Sequence, residues 1–261
     1  MSAAFLGTRP HAGLAWLDHW VSMGWLRPLD RQFAAFLASQ APGADPLLLA
    51  AAAWTSHQLG RGHVCLDLPS TLADPERALS LPAAARQPAA GVDTPTPVSL
   101  LQDLTLARWK AALAEPSLMG GGPGDTPLVL DGDRLYLRRF WQYEQVVRTD
   151  IDARLAWPAD AARPEARPAL RKALQVLFPE AHDRTGTLDW QQVACALAAR
   201  SHFAIVTGGP GTGKTTTVVR LLALLQHLAL QASDGRRRLR IRLAAPTGKA
   251  AARLNASIAG A

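Results

Sequence analysis

The chain has 261 residues, of which 48% are hydrophobic and 19% charged, with a formal net charge of +7. That length accommodates one large domain or two ordinary ones, and that hydrophobic content excludes wholesale disorder. No run approaches the roughly 18 uninterrupted apolar residues of a membrane helix. Met1 to Gly7 also lacks the basic segment and apolar core of a signal peptide, so the reading is a cytoplasmic protein without a membrane partner.

Residues 1–110 read as a small, mostly helical domain. Leu14, Trp16, Leu17, Trp20 and Val21 recur at helical spacing, as do Phe33, Phe36 and Leu37. Asp45-Pro46 is a helix start, with Asp as N-cap and Pro at the first helical position. Leu47 to Trp54 is then apolar nearly all round, which predicts a central buried helix. Asp74-Pro75 and Thr96-Pro97 repeat the start signal, and Pro82 to Gly91 between them reads as loop. His57, His63 and Cys65 lack zinc-ligand spacing. With no catalytic constellation in this part, it reads as a docking module or scaffold.

Residues 111–182 form a second piece that leads into residues 183–261. Leu128 to Leu137 is a predicted hairpin turning at Asp131-Gly132. The next helix carries Phe140, Tyr143, Val147, Ile151 and Leu155 on one face, a stripe whose spacing predicts core packing. Pro158 to Pro168 reads as an exposed connection, followed by a helix with Leu170, Leu174 and Leu177 that ends at Pro179.

Residues 183–261 carry the chemistry. They hold 11 Lys+Arg against 3 Asp+Glu, a net of +8, whereas residues 1–182 hold 17 against 18. A nucleotide needs only a few cations, so the surplus points to a polyanion as a second ligand. Cys65 and Cys195 are far apart on apolar stretches and read as buried thiols in a reducing compartment.

Within this segment, a helix begins near Asp189 and carries Val193 and Leu197. Phe203–Thr207 is a predicted apolar strand, and Gly208, Gly209, Pro210, Gly211, Thr212, Gly213, Lys214 and Thr215 follow it, ahead of Thr216 and an apolar helix through Leu228. Gly208, Gly213, Lys214 and Thr215 satisfy G-x-x-x-x-G-K-[ST] in the strand–loop–helix context that a phosphate-binding loop requires. The glycines let backbone N–H groups point inward, and the helix start adds its positive dipole end. Lys214 would reach the β- and γ-phosphates of ATP, and the Thr215 hydroxyl would serve Mg²⁺. Beyond a basic turn at Ala232–Arg238, Leu239, Ile241, Leu243 and Ala245 alternate with Arg240 and Arg242, predicting a second strand parallel to the first. Gly208–Thr215 and Pro246–Ala251 would both lie at the carboxyl edge of that sheet, where such folds bind ligands. Thr247 and Gly248 offer a hydroxyl and N–H groups at a helix start, and Lys249 adds a charge suited to a phosphate backbone.

Three blocks resemble superfamily 1 DNA helicases, and within them the RecD family, the alpha subunits of exodeoxyribonuclease V. They are Asp189-Trp190-Gln191, whose glutamine lies 17 positions before Gly208, the loop Gly208–Thr216, and Arg242–Arg253. Gly60–Leu66 and Leu128–Tyr143 are similar to the same family. The resemblance implies an α/β fold: a small helical N-terminal domain, then a P-loop (RecA-like) parallel-sheet motor. It implies that Gln191 reads the adenine edge and that Pro246, Thr247, Gly248 and Lys249 contact single-stranded DNA. It also implies 5′-to-3′ translocation in a heterotrimer with beta and gamma subunits, acting on duplex DNA ends, with residues 1–110 docking on the gamma subunit.

One departure stands out. Such motors need a second acidic motif to hold Mg²⁺ and activate water, yet the only acidic residue after Lys214 is Asp234, beside three arginines. No arginine finger is assignable either. The expectation is an incomplete motor, cut before its second acidic motif, that does not unwind DNA alone. A non-hydrolysing docking subunit and a chaperone-type ATPase sharing Gly-Pro-Gly-Thr-Gly-Lys are the alternatives.

Overall fold

A computed structural model describes residues 12–86, 94–157, 160–179, 188–245 and 247–259. The second half of the proline- and alanine-rich loop (87–91), Pro158 and Pro246 lie outside the described residues, as does Met1–Gly7. The chain divides into two compact units, Met1–Val146 and Val147–Ala261.

The first unit is built around α3 (Pro46–Gly60). Asp45 caps it by accepting a 2.8 Å hydrogen bond from the Leu47 amide, and Pro46 occupies the first helical position, where its missing N–H costs nothing. Every residue from Leu47 to Trp54 is buried, as the all-round apolar pattern predicts for a central helix. Trp20 of α1 (Ala12–Ser22) stacks on Trp54 at 5.5 Å between ring centroids, and Trp109 of α7 (Leu106–Ala112) meets Trp54 edge-on at 6.0 Å. Three fully buried indoles supply a large apolar area at the centre of the unit.

α2 (Pro28–Gln40) packs beside α3 and brings with it a buried carboxylate. Asp30 accepts from Arg27 Nη2 at 2.6 Å and from Ser56 Oγ at 2.7 Å, and His57 Nδ1 lies 3.6 Å away. A buried charge persists only when it is paired and hydrogen-bonded in this way. Burial alone would push the Asp30 carboxyl up; the nearby His57 ring and the hydrogen bonds from Arg27 and Ser56 outweigh it and hold the group far below the usual carboxylate range.

Asp67 caps α4 (Leu68–Ala73). The other start signals also form helices: α5 (Pro75–Leu79) is capped by Asp74 and α6 (Pro97–Leu101) by Thr96. The hairpin is present as β3 (Leu128–Asp131) and β4 (Arg134–Leu137), with Gly132 at φ +61° in the turn, where a side chain would be strained. β4 also pairs antiparallel with β1 (Leu66–Asp67), and β3 pairs parallel with β2 (Met119–Gly120), giving the order β1-β4-β3-β2. Leu66 faces Leu135 across that ladder, so the two N-terminal stretches of family resemblance meet in one sheet. Leu128 and Leu135 join the indole core, which ties the hairpin to the helices and carries the first unit well past residue 110.

Two expectations fail here. The stripe on α8 (Arg138–Ala156) is not core: Tyr143, Val147 and Leu155 are all more than half exposed, and Trp141 is the buried residue of the helix. Spacing puts side chains on one face, but it does not supply a neighbour to cover them. Instead Arg139 lies over the Tyr143 ring and donates to its hydroxyl at 2.7 Å.

Nor does the expected parallel sheet form in the second unit. Residues 203–207 and 239–245 make no strand ladder; Ile205 is 74% exposed, and Leu239, Ile241 and Leu243 are exposed too. A parallel sheet holds when several strands pair and helices cover both faces, and apolar alternation signals a strand without providing that pairing. The unit is held instead by α9 (Arg167–Leu177), α10 (Trp190–Ala199) and α11 (Lys214–Ala232), whose core includes Leu170, Leu174, Phe178, Cys195 and Leu224. Among the described residues no helix is long and apolar enough to cross a membrane.

Candidate nucleotide-binding loop

The loop between residues 208 and 213 leads straight into α11, so Lys214 is the first helical residue. Gly211 and Gly213 hold φ of +76° and +77°, a region costly for any residue with a side chain. A Cβ on Gly213 would also meet the Gln191 carboxamide, the end of a flexible side chain that would have to swing aside. A Cβ on Gly208 would come within 2.7 Å of Thr212 Oγ1. Backbone sign therefore fixes Gly211 and Gly213, the kind of left-handed turn that lets a loop wrap an anion.

Local hydrogen bonds hold the loop's shape. Thr212 Oγ1 donates to the Gly209 carbonyl at 2.9 Å, and Lys214 Nζ donates to the carbonyls of Gly208 and Gly209 at 2.7 and 2.5 Å. The ammonium therefore already sits over the loop. The hydroxyl-bearing Thr215 and Thr216 are exposed at the helix start, where N–H groups lack intrahelical partners.

α10 delivers Gln191 to the same place. Asp189 caps that helix, its Oδ1 accepting from the amides of Gln191 and Gln192 at 2.9 and 3.1 Å. Gln191 Nε2 then donates to the Thr212 carbonyl at 3.3 Å. The 17-residue offset seen in sequence is closed in space.

Cys195, read from sequence as a buried thiol, is buried, and behind the loop it meets Thr217, which carried no expectation. Thr217 is buried and its Oγ1 donates to the Gly213 carbonyl at 3.0 Å; Cys195 of α10 donates its thiol to the Thr217 carbonyl at 3.5 Å. Burial pushes the Cys195 thiol up to about 11, so it stays protonated and serves as a donor. The only sequence signal was the four-residue step from Gly213 to Thr217, which suits a hydroxyl bonding back along a helix.

The residues expected to meet DNA are placed apart from these contacts. Thr247 precedes α12 (Gly248–Ala259), and its Oγ1 accepts from the Ala250 amide at 3.3 Å, making it the N-cap. Thr247, Gly248 and Lys249 are exposed, while Pro246 is outside the described residues. Arg236 to Arg242 are exposed as well.

Comparison with known sequences is informative on both units. Residues 22–136 match the family model described as RecBCD enzyme subunit RecD, N-terminal domain, and residues 191–261 match that of an AAA domain. The RecBCD enzyme subunit RecD of Mycolicibacterium smegmatis is 38% identical over 234 residues, 89% of this chain and 35% of that protein. That of Mycobacterium tuberculosis is 45% identical over 149 residues, 57% of this chain and 23% of that protein. The ATP-dependent RecD2 DNA helicase of Deinococcus radiodurans is 33% identical over 122 residues, 46% of this chain and 14% of that protein. The chain thus spans about a third of the M. smegmatis relative, and less of the other two. One matched segment begins in the indole-cored helical unit and the other begins at Gln191 and takes in the glycine loop; together with the alignment to the mycobacterial protein they show that the chain belongs to the RecD family.

Proposed function

We propose that this chain carries the nucleotide-binding part of an ATP-dependent DNA helicase subunit. The observation that carries the proposal is the Gly208–Lys214 loop, with left-handed glycines, an ammonium over its carbonyls and Gln191 bonded to its rim. These residues fit ATP: Gly208 to Gly213 and the amides at the start of α11 would hold the phosphates, joined by Lys214, Thr215 and Thr216. The Thr215 hydroxyl would hold Mg²⁺, and Gln191 would read the adenine edge. Bound ATP supplies phosphoryl-transfer free energy; this chain's residues bind and orient it.

Thr247, Gly248 and Lys249, with Pro246 beside them, would contact the sugar-phosphate backbone of single-stranded DNA. Action on duplex ends, 5′-to-3′ movement and assembly with beta and gamma subunits rest on family resemblance, as does a cytoplasmic location. Residues 1–110 would supply the docking surface, and residues 111–182 would lead into the motor segment of 183–261.

Purified protein should retain a fluorescent ATP analogue and lose it to competing ATP, and Lys214→Ala should weaken that retention. Absence of nucleotide retention would contradict the proposal as a whole.

A further inference from the structure

The second unit holds a groove of about 1300 Å³ between α9, α10 and the turn before α9. Its floor includes Leu170, Leu174 and Ala196; its rim carries Arg167, Arg171, Lys172, Gln175, Gln192 and Arg200. No acidic residue lines it, and Glu165 stands in the adjoining turn. The four cations are exposed and make no ion pair or side-chain hydrogen bond with any other described residue. Uncommitted cations around one groove repel each other, and an anionic ligand would relieve that repulsion.

Arg167 and Arg171 lie one helical turn apart, about 6 Å along α9, close to the spacing of successive phosphates on an extended strand. Arg200 answers them from the end of α10. The groove is open to solvent rather than enclosed, so an extended strand can lie along it. The apolar floor suits sugars and base faces, and the two glutamine amides suit polar edges.

We propose that this groove binds the backbone of single-stranded nucleic acid, as a track additional to the one proposed at Thr247–Lys249. It requires no nucleotide at the glycine loop. Binding of a labelled oligothymidylate to the whole chain would be followed by fluorescence anisotropy across a salt series. The triple variant Arg167→Gln, Arg171→Gln, Lys172→Gln should bind at least tenfold more weakly. Its log–log salt dependence should be shallower by about 2, since each lost phosphate contact removes about 0.7. Lys249→Ala alone should change that slope by about 0.7, so failure of one track is distinguishable from failure of the other. The charge-keeping pair Arg167→Lys, Arg171→Lys should retain affinity and slope, which separates lost charge from a folding defect. ATP binding should be unchanged in the groove variants. Unchanged affinity and slope in the triple variant would overturn the proposal. So would a wild-type chain that fails to bind the oligonucleotide, or groove variants that lose only a protein partner.

Discussion

Gln191 Nε2 is hydrogen-bonded at 3.3 Å to the carbonyl of Thr212, a residue 21 positions further along the chain. The bond joins the start of α10 to the loop ahead of α11, so the group proposed to read a base also touches the loop proposed to hold its phosphates. Gln191→Ala removes both the amide and the contact. ATP affinity should fall about tenfold, the loss of one or two hydrogen bonds, and preference for ATP over GTP should shrink. Competition titrations with both nucleotides check this; an unchanged ratio would remove Gln191 from the base site.

Gly213 is the tightest point of the loop. Gly213→Ala places a methyl group in the left-handed region and against the Gln191 carboxamide. The strain costs about 1–2 kcal/mol, concentrated in the loop. Nucleotide affinity should therefore drop at least tenfold while the melting temperature shifts by only a few degrees. Calorimetric melting and nucleotide titration on one preparation separate the two effects.

Asp30 should contribute to acid stability in the first unit. Its carboxyl is held below the ordinary value of about 3.9, so its contribution is complete above that value and is lost as pH falls through the lower, folded-state value. Denaturant titrations between pH 7 and pH 2 should show stability falling at the acid end. Asp30→Asn should flatten that fall. At pH 7 the same variant should be destabilised by about 1.5–2 kcal/mol, since charge-assisted hydrogen bonds from Arg27 and Ser56 become neutral ones while the half-exposed Arg27 stays solvated. An unchanged acid limb would mean that other carboxylates dominate it.

Local chemistry was the most legible part of the sequence. Asp45, Asp74, Thr96 and Asp189 each cap the helix that their position signals, because capping needs only residues within one turn. The glycine loop was legible for the same reason, lying in a short segment with strict stereochemistry, whereas Gln191 stood out only through the family resemblance. What depends on distant neighbours was less so. The apolar run Phe203–Thr207 and the alternating Leu239–Ala245 read as strands yet form no strand ladder among the described residues, and Tyr143, Val147 and Leu155 of the α8 stripe stay exposed. The Asp30–Ser56–His57 cluster was invisible, since its members lie up to 27 positions apart on two helices. The contacts of Thr217 behind the loop were hidden, since polar groups satisfied by backbone carbonyls leave no pattern.

The account rests on a phosphate cup at Gly208–Thr215, and isothermal titration of Mg·ATP into the wild-type chain and Lys214→Ala measures it most directly. Lys214 is exposed and bonded only to loop carbonyls among the described residues, so its removal should leave the fold intact. Wild-type protein should bind one ATP, and the variant should lose about 1.5–3 kcal/mol, roughly 10- to 150-fold in affinity. Equal affinities in the two proteins, or no heat from either, would contradict the account.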